Sequence, residues 1–136
     1  MIVLDTSGLL AWLDASQRRH EDVARAMKSV AAPYLLSPFV LAELDYLLAT
    51  RVGADAERAL LAEVARGVFQ LESFTAADVR QALGLLERYR DLGLGLADAS
   101  VLVLAHRHRT RAILTLDERH FRAVRGVDGV ALELVP

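Results

Sequence analysis

The sequence of 136 residues predicts a single α/β domain, residues 1–136, with a central parallel sheet flanked by helices on both faces. Helical pattern or turn residues separate five short β-type runs, at Ile2–Leu4, Tyr34–Leu36, Val68–Leu71, Ala112–Leu116 and Val130–Val135. Strands that alternate with helices are typical of a parallel sheet. The length suffices for one domain with a real core and not for two, and no linker or repeat divides the chain.

The first helices are predicted from apolar spacing and capping residues. One has its apolar face at the helical spacing of Val23, Ala26, Met27 and Val30. The next begins at Ser37, because serine caps free amide groups and the fixed φ of Pro38 suits the first helical position. It runs to about Arg51, where Gly53 is expected to end it in the left-handed conformation.

Four later segments complete the pattern of helices. Residues 54–66 carry Leu60, Leu61 and Val64 on one side and form an antiparallel pair with the preceding helix. Thr75 and Asp78 have capping-box spacing, before an apolar stripe at Val79, Ala82, Leu83 and Leu86. After a glycine break a helix runs from about residue 96 towards His108, and a last, short helix ends near Phe121.

Composition excludes several classes of function. The chain has no cysteine, which rules out a disulfide-stapled scaffold, a thiolate zinc site and a cysteine nucleophile, and which fits a reducing cytoplasm. Asp5 interrupts the apolar start before it reaches the length of an export signal, and no apolar stretch approaches the roughly 20 residues of a membrane span. The net charge of -2 does not by itself suggest a nucleic-acid partner.

Two carboxylates follow predicted strands. Asp5 closes the first strand and Asp117 follows the run at Ala112–Leu116. In an open parallel sheet, ligands bind in the crevice beyond the carboxyl ends of the strands, so both are delivered to that edge. The alternative is that each only caps the helix after it, because aspartate is a common N-cap residue.

Two more carboxylates stand on predicted helices. Asp98 lies three, four and seven residues before Val101, Leu102 and Ala105, which places it on the apolar face of its helix. A capping role near the helix N-terminus would explain why it is tolerated there, but not why it is desolvated. Glu43 is predicted to face apolar neighbours in the same way, although periodicity leaves open whether Glu43 or Asp45 is the solvated one.

Converging carboxylates indicate a divalent cation. Each carboxylate would raise the pKa of the others by repulsion, and a cation keeps them ionised. Oxygen ligands favour Mg²⁺ or Mn²⁺ over zinc. Such an ion acidifies water and neutralises phosphate charge, so a nuclease is the first expectation.

Four segments of the sequence resemble, in order and spacing, those of the PIN-domain ribonucleases. They are Met-Ile-Val-Leu-Asp-Thr-Ser at the start, Ala-Glu-Leu at 42–44, Gly-Leu-Ala-Asp-Ala at 95–99 and Leu-Thr-Leu-Asp at 114–117. More narrowly they are similar to the VapC-type toxins of bacterial toxin–antitoxin pairs, and the resemblance covers essentially the whole chain.

The resemblance implies a Mg²⁺- or Mn²⁺-dependent endoribonuclease, a toxin that cuts tRNA or rRNA loops to inhibit translation and growth. Asp5 and Asp98 match the metal-binding aspartates, Glu43 the helix glutamate, in preference to Asp45, and Asp117 the fourth acidic position. All four are expected to be catalytic. The hydroxyls matching those that hold carboxylates or waters in place are Thr6, Ser7 and Thr115.

The resemblance also implies partners: an RNA substrate, a VapB-type antitoxin whose C-terminal segment covers the carboxylates, and a second copy of the chain in a homodimer. The helix pair at 37–67 is the candidate contact surface for antitoxin and dimer. No membrane partner is expected.

The segment 106–125 holds six arginines against two carboxylates, a net +4. Cations at a helix C-terminus explain part of this excess, because they complement the helix dipole. Since the segment adjoins Asp117 in sequence, its arginines are expected to bind RNA phosphates beside the carboxylates.

Two rival functions remain open on sequence alone. A metal-independent ribonuclease would use histidine pairs, but His106 and His108 are two residues apart and cannot face the same way on a helix. A non-catalytic, Mg²⁺-binding receiver-like signalling module would also place aspartates at strand ends. Receivers usually have adjacent acidic residues after the first strand and a late lysine, whereas here a single Asp5 follows Leu4 and no lysine follows Lys28.

Overall fold

The computed structural model describes residues 1–136 and contains one five-stranded sheet. Its strands are β1 (Ile2–Leu4), β2 (Tyr34–Leu36), β3 (Gln70–Leu71), β4 (Ala112–Leu114) and β5 (Glu133–Val135). They are ordered β3-β2-β1-β4-β5, and every neighbouring pair is parallel. Leu4, the last residue of β1, pairs with Leu36 on one side and Leu114 on the other. The carboxyl ends of the three central strands therefore meet at one edge.

Seven α-helices and one 3₁₀ turn connect the strands. They are α1 (Thr6–Leu13), α2 (His20–Met27), α3 (Pro38–Arg51), α4 (Ala54–Ala65), α5 (Ala76–Arg88), α6 (Leu96–Arg107) and α7 (Glu118–Ala123), with the 3₁₀ turn at Arg90–Leu92. No helix combines the length and the apolarity that crossing a membrane requires.

The core lies on both faces of the sheet. Successive strand residues point to opposite faces, and Ile2, Val3 and Leu4 of β1 are all fully buried, so both faces of the central strand are covered. Every residue of α6 from Ala99 to Ala105 is buried, and α6 packs against β1 and β4. The predicted fold class is confirmed.

Three strands are shorter than predicted, because their flanking residues use their amides elsewhere. The backbone amide of Leu116 donates to Ser7 Oγ, so β4 ends before it. The amide of Val68 donates to Glu63 O and closes the end of α4. Before β5, Gly126 donates to the carbonyl of Val130, and residues 125 and 131 form an isolated antiparallel bridge.

The helix predictions hold with three corrections. In α4 only Leu60 is buried, whereas Leu61, predicted on the same side, is exposed. Ser37 caps α3 through Phe39 N, and Thr75 and Asp78 form the expected capping box. Gly53 ends α3 with φ of 141°, but its ψ of 165° is extended rather than left-handed helical. In α5 the buried residues are Ala82 and Leu85, whereas the predicted stripe members Val79 and Leu83 are exposed, because the helix is rotated relative to that stripe.

Candidate active site

Asp5 is a buried carboxylate at the carboxyl end of β1. Its side chain is held by two hydroxyls, since Oδ2 accepts hydrogen bonds from Ser7 Oγ at 2.8 Å and from Thr115 Oγ1 at 2.7 Å. Only 4% of the residue is exposed. The two hydroxyls come from opposite sides, one from the first turn of α1 and the other from the end of β4.

The same hydroxyls tie the turn after β4 to the end of β1. Ser7 Oγ accepts from the backbone amide of Leu116 at 2.9 Å, and Thr115 Oγ1 accepts from that of Asp117, also at 2.9 Å. Each hydroxyl therefore bridges a backbone amide to the Asp5 carboxylate. The expected supporting role of Ser7 and Thr115 matches this geometry, whereas Thr6 Oγ1 is buried with no hydrogen-bond partner and supports no carboxylate.

The pKa of Asp5 is raised above its ordinary value. Burial is the largest cause, because it disfavours the charged form, and the nearby charge of Asp98 adds to it. The hydrogen bonds from Thr115 and Ser7 act in the opposite direction and only partly offset the burial. The protein has thus placed a carboxylate where it is costly to ionise without further positive charge.

A close approach at Gly8 brings α1 up to this site. A Cβ at residue 8 would lie 2.5 Å from the carbonyl oxygen of Leu114, closer than atoms can pack. That same carbonyl accepts the backbone amide of Asp5 at 3.0 Å. The absence of a side chain at Gly8 is therefore a condition for the geometry of the strand ends.

Asp98 and Asp117 both cap helices and both face the site. Asp98 Oδ2 accepts from the amide of Gly95 at 3.0 Å, at the start of α6, and Asp117 Oδ1 accepts from the amide of His120 at 3.1 Å, at the start of α7. Asp98 and Asp117 therefore do cap helices, as the alternative interpretation predicts. One ligand atom from each of Asp98, Asp117 and His120 lies within 4.8 Å of the others, a separation that one metal ion can bridge.

The donor set fits a divalent cation. Neither Asp5 nor Asp98 forms an ion pair with a basic side chain, although their charges interact. Buried or clustered carboxylates without a counter-charge are unstable unless a cation joins them. The orphaned Oγ1 of Thr6, next to Asp5, is a further buried oxygen without a partner.

Glu43 is not part of this cluster, and its predicted environment is wrong. In α3 the buried residues are Val40, Leu44 and Leu48, so Glu43 is exposed instead of facing apolar neighbours. Asp45 lies towards α4, where a hydrogen bond with its carboxyl raises the pKa of Glu57. Periodicity did not decide whether Glu43 or Asp45 is the solvated residue. In the structure Asp45 interacts with Glu57 on α4, away from the strand ends.

The basic segment at 106–125 is split between two edges of the sheet. Asp117 follows the carboxyl end of β4, whereas Arg109 and Arg111 precede its amino end, and the three residues of β4 span roughly 10 Å at about 3.3 Å per residue. Arg107 is used by the fold, because it donates to Asp78 Oδ2 at 2.8 Å and to Ser73 O at 2.9 Å. The expectation that the whole segment lies beside the carboxylates is wrong, and only Arg119 and Arg122 of α7 share their edge.

His120 is the one member of the cluster that sequence reasoning missed. Its Nδ1 lies 2.8 Å from Asp117 Oδ2, and its side chain is 23% exposed. The available signal was its position three residues after a strand-end aspartate, which places both on one side of a helical turn. From the sequence, histidines are considered only as acid–base pairs of a metal-independent ribonuclease.

The partly exposed carboxylate cluster is not part of an enclosed cavity. The largest cavity, about 530 Å³, is at the opposite edge of the sheet and is lined by His106, Arg109, Arg111 and the loop 126–128. None of the four cavities in the protein includes Asp5, Asp98 or Asp117.

Comparison with known proteins agrees with this fold. The family model described as PIN domain matches residues 2–127. Ribonuclease VapC26 of Mycobacterium tuberculosis is 47% identical over 135 residues, covering 99% of this chain and all of that protein.

Two solved structures share the fold. The VapC20 toxin of M. tuberculosis, described as cleaving the sarcin–ricin loop, has a TM-score of 0.80 at 27% identity and is matched over 86% of this chain and 90% of its own. FitAcB of Neisseria gonorrhoeae has a TM-score of 0.70 at 20% identity over 98% and 97%, which supports the fold alone. The receiver-like alternative is not favoured by these matches. The chain belongs to the PIN-domain family and, within it, to the VapC ribonuclease toxins.

Proposed function

We propose that this protein is a Mg²⁺-dependent endoribonuclease, the toxin of a type II toxin–antitoxin pair, which cuts a tRNA or rRNA loop in the cytoplasm and so stops translation and growth. One observation carries the proposal. A buried carboxylate, Asp5, is held by two hydroxyls and its pKa is raised in part by the charge of Asp98, and neither carboxylate has a basic counter-charge. That arrangement is costly unless a divalent cation binds, and it stands at the ligand-binding edge of the sheet.

Asp5 and Asp98 would hold the metal. Bound there, Mg²⁺ or Mn²⁺ supplies an acidified water and positive charge for a phosphodiester. Ser7 and Thr115 fix the orientation of the Asp5 carboxylate, and the amide of Gly95 fixes that of Asp98. The protein thus keeps both carboxylates aimed before substrate arrives, which lowers the cost of organising them during the reaction.

Glu43 and Asp117 would orient the attacking water or a second metal carried by the substrate. For Asp117 the support is its contact with His120 and its membership of the cluster. For Glu43 the support is its match to the family glutamate and its place on α3. Ser37 begins that helix and bonds to Ser100, two residues past Asp98, which brings the start of α3 beside α6.

An RNA loop is the proposed substrate class. The support is that VapC20, which shares the fold, is described as cleaving the sarcin–ricin loop. Bases in loops are unstacked and accessible, which is what most sequence-specific RNA recognition uses. Arg119 and Arg122 follow Asp117 on α7 and would bind phosphates near the cut, although Arg122 also contacts Glu118 at 3.0 Å.

The partners we propose are a VapB-type antitoxin and a second copy of the chain. Helices α3 and α4 offer an apolar groove of about 160 Å³ with the end of α1, lined by Leu13, Leu48, Val52 and Leu60. An apolar groove of this kind suits a partner helix. The antitoxin's C-terminal segment would reach from its docking site to cover the carboxylates with a basic or bulky side chain.

The direct experiment is sequencing of RNA 5′ ends after induced expression of the protein. We expect new ends at one or a few sites in tRNA or rRNA, together with growth arrest. Asp5→Ala should produce neither, while Asp45→Ala, on the α4 side of α3, should behave like the wild type. New ends that are unchanged in Asp5→Ala would contradict the proposal.

A further inference from the structure

The cluster at the site contains a nitrogen donor as well as carboxylate oxygens. His120 stands on the first turn of α7, and one of its ring nitrogens lies within 4.8 Å of ligand atoms on Asp98 and Asp117. His120 Nδ1 and Asp117 Oδ2 are 2.8 Å apart. In an octahedral site with bonds of about 2.1 Å, adjacent ligands lie about 3.0 Å apart and opposite ligands about 4.2 Å. The separation of His120 and Asp117 is therefore that of adjacent ligands on one ion, and Asp98 has a ligand atom within 4.8 Å of both.

His120 is held in this position by the fold. Its backbone amide donates to Asp117 Oδ1, and the next residue, Phe121, is 1% exposed and anchors α7 in the core. The ring is mostly buried yet not enclosed, with 23% of the side chain exposed. No other acidic side chain forms an ion pair with it, so the only charge it faces at close range is that of the site.

We propose that His120 is a direct ligand of the catalytic metal and that its nitrogen gives the site a preference for Mn²⁺ over Mg²⁺. This inference rests on the proposed function, because it assigns a further ligand to the same site. Imidazole binds divalent transition ions better than Mg²⁺, which is suited by oxygen ligands alone. A mixed site of carboxylates and one imidazole thus bonds Mn²⁺ through a group that adds little for Mg²⁺.

Pulsed electron paramagnetic resonance of Mn²⁺ bound to the full chain tests the ligand directly, without requiring activity. The probe is MnCl₂ added below one equivalent, on wild type, His120→Gln and His106→Gln. His106 is an exposed histidine at the far edge of the sheet and serves as the matched control. We expect ¹⁴N coupling to Mn²⁺ in the wild type and in His106→Gln. Labelling with ¹⁵N-histidine should replace this signal by ¹⁵N coupling. In His120→Gln the nitrogen coupling should be lost.

Calorimetric titrations with Mn²⁺ and Mg²⁺ give the selectivity. In His120→Gln we expect the Kd for Mn²⁺ to rise about 10-fold or more, while the Kd for Mg²⁺ changes less. Bound Mn²⁺ without nitrogen coupling in the wild type, or coupling that survives in His120→Gln, would overturn the assignment and would mean that His120 only positions Asp117.

An RNA cleavage assay on the same wild-type sample distinguishes failure of the His120 assignment from failure of the proposed function. Mn²⁺ binding and RNA cleavage without nitrogen coupling would refute the role of His120 and leave the proposed function standing. A protein that neither binds Mn²⁺ nor cuts RNA would refute both.

Discussion

Asp5 and Glu43, two residues of the proposed site, are held in different ways. At the strand ends, Asp5 is buried and its carboxylate is fixed by Ser7 and Thr115, whose oxygens also accept backbone amides. On α3, Glu43 is exposed and forms neither a side-chain hydrogen bond nor an ion pair. The fold thus fixes the Asp5 carboxylate through hydrogen bonds, whereas no such bond fixes the Glu43 side chain.

This difference shows which part of the site is built into the fold. The carboxyl ends of β1 and β4 are locked by strand register and by the Asp5 amide bond to Leu114 O, so their side chains share the rigidity of the sheet. Glu43 is carried by a helix whose buried stripe lies on another face. Substitutions at the strand ends should therefore change both stability and activity, while those at Glu43 should change activity alone.

The largest effect is expected from Gly8→Ala. The added Cβ would meet the Leu114 carbonyl at 2.5 Å, so one of the two backbones must move. We expect a loss of about 3 kcal/mol or more in the free energy of unfolding, measured by urea titration. The control is Gly84→Ala in α5, where a Cβ meets nothing within 4 Å; it should gain about 0.5–1 kcal/mol. Equal effects of the two substitutions would refute the close approach at Gly8.

The strands and caps could be predicted from sequence because local pattern determines them. β1 and β2 have the predicted bounds, and the Ser37 and Thr75 caps formed as their residue types required. The strand-end position of Asp5 follows from the same pattern. Local sequence is therefore sufficient where burial or capping alone decides the structure.

Other features depend on how the elements dock. The rotation of α3 and α5 about their axes is set by their neighbours, so the predictions for Glu43, Val79 and Leu83 were wrong. Proximity in sequence also misplaced Arg109 and Arg111, because the length of β4 carries the chain across the sheet to the other edge.

Thr115→Val and Glu43→Gln test the comparison most sharply. Thr115→Val removes a donor to Asp5 and an acceptor for the Asp117 amide, so we expect a loss of about 1–3 kcal/mol in stability and a fall of about 10–100-fold in cleavage rate. Glu43→Gln should change stability by less than about 0.5 kcal/mol, as exposed residues do, while cleavage still falls. Both are measured by urea unfolding and by cleavage of a labelled RNA. A Glu43→Gln protein as unstable as Thr115→Val would remove the distinction.

Metal-free Asp5→Asn should be more stable than the wild type at neutral pH, by about 1–3 kcal/mol. Folding raises the pKa of Asp5. The Asp5 side chain therefore contributes fully to the free energy of unfolding below its ordinary pKa of 3.8, and this contribution is lost as the pH rises through the raised pKa. The advantage of Asp5→Asn should therefore grow from about pH 4 upwards. Urea titrations in EDTA across this range measure it, and a pH-independent difference would mean that burial of the charge is not the cause.

The smallest effect concerns the arginines on the site's own edge. Neutralising Arg119 and Arg122 should lower the slope of log affinity against log salt by about 1 for each phosphate that is no longer bound, so that RNA binding weakens more at low salt than at high salt. Neutralising Arg109 and Arg111, at the opposite edge, is the matched control. An unchanged slope in the Arg119 and Arg122 variant would exclude a direct interaction of these two arginines with phosphate.

We propose that the carboxylates near the strand ends form a metal-dependent ribonuclease site. Its most direct measurement is the cleavage rate of the mapped target RNA by purified wild type, Asp5→Asn and Asp98→Asn in Mg²⁺, with and without EDTA. We predict that each substitution lowers the rate by at least about 100-fold, that EDTA stops the wild type and that added Mg²⁺ restores it. Cleavage at the wild-type rate by either variant, or cleavage that resists the chelator, would contradict the claim.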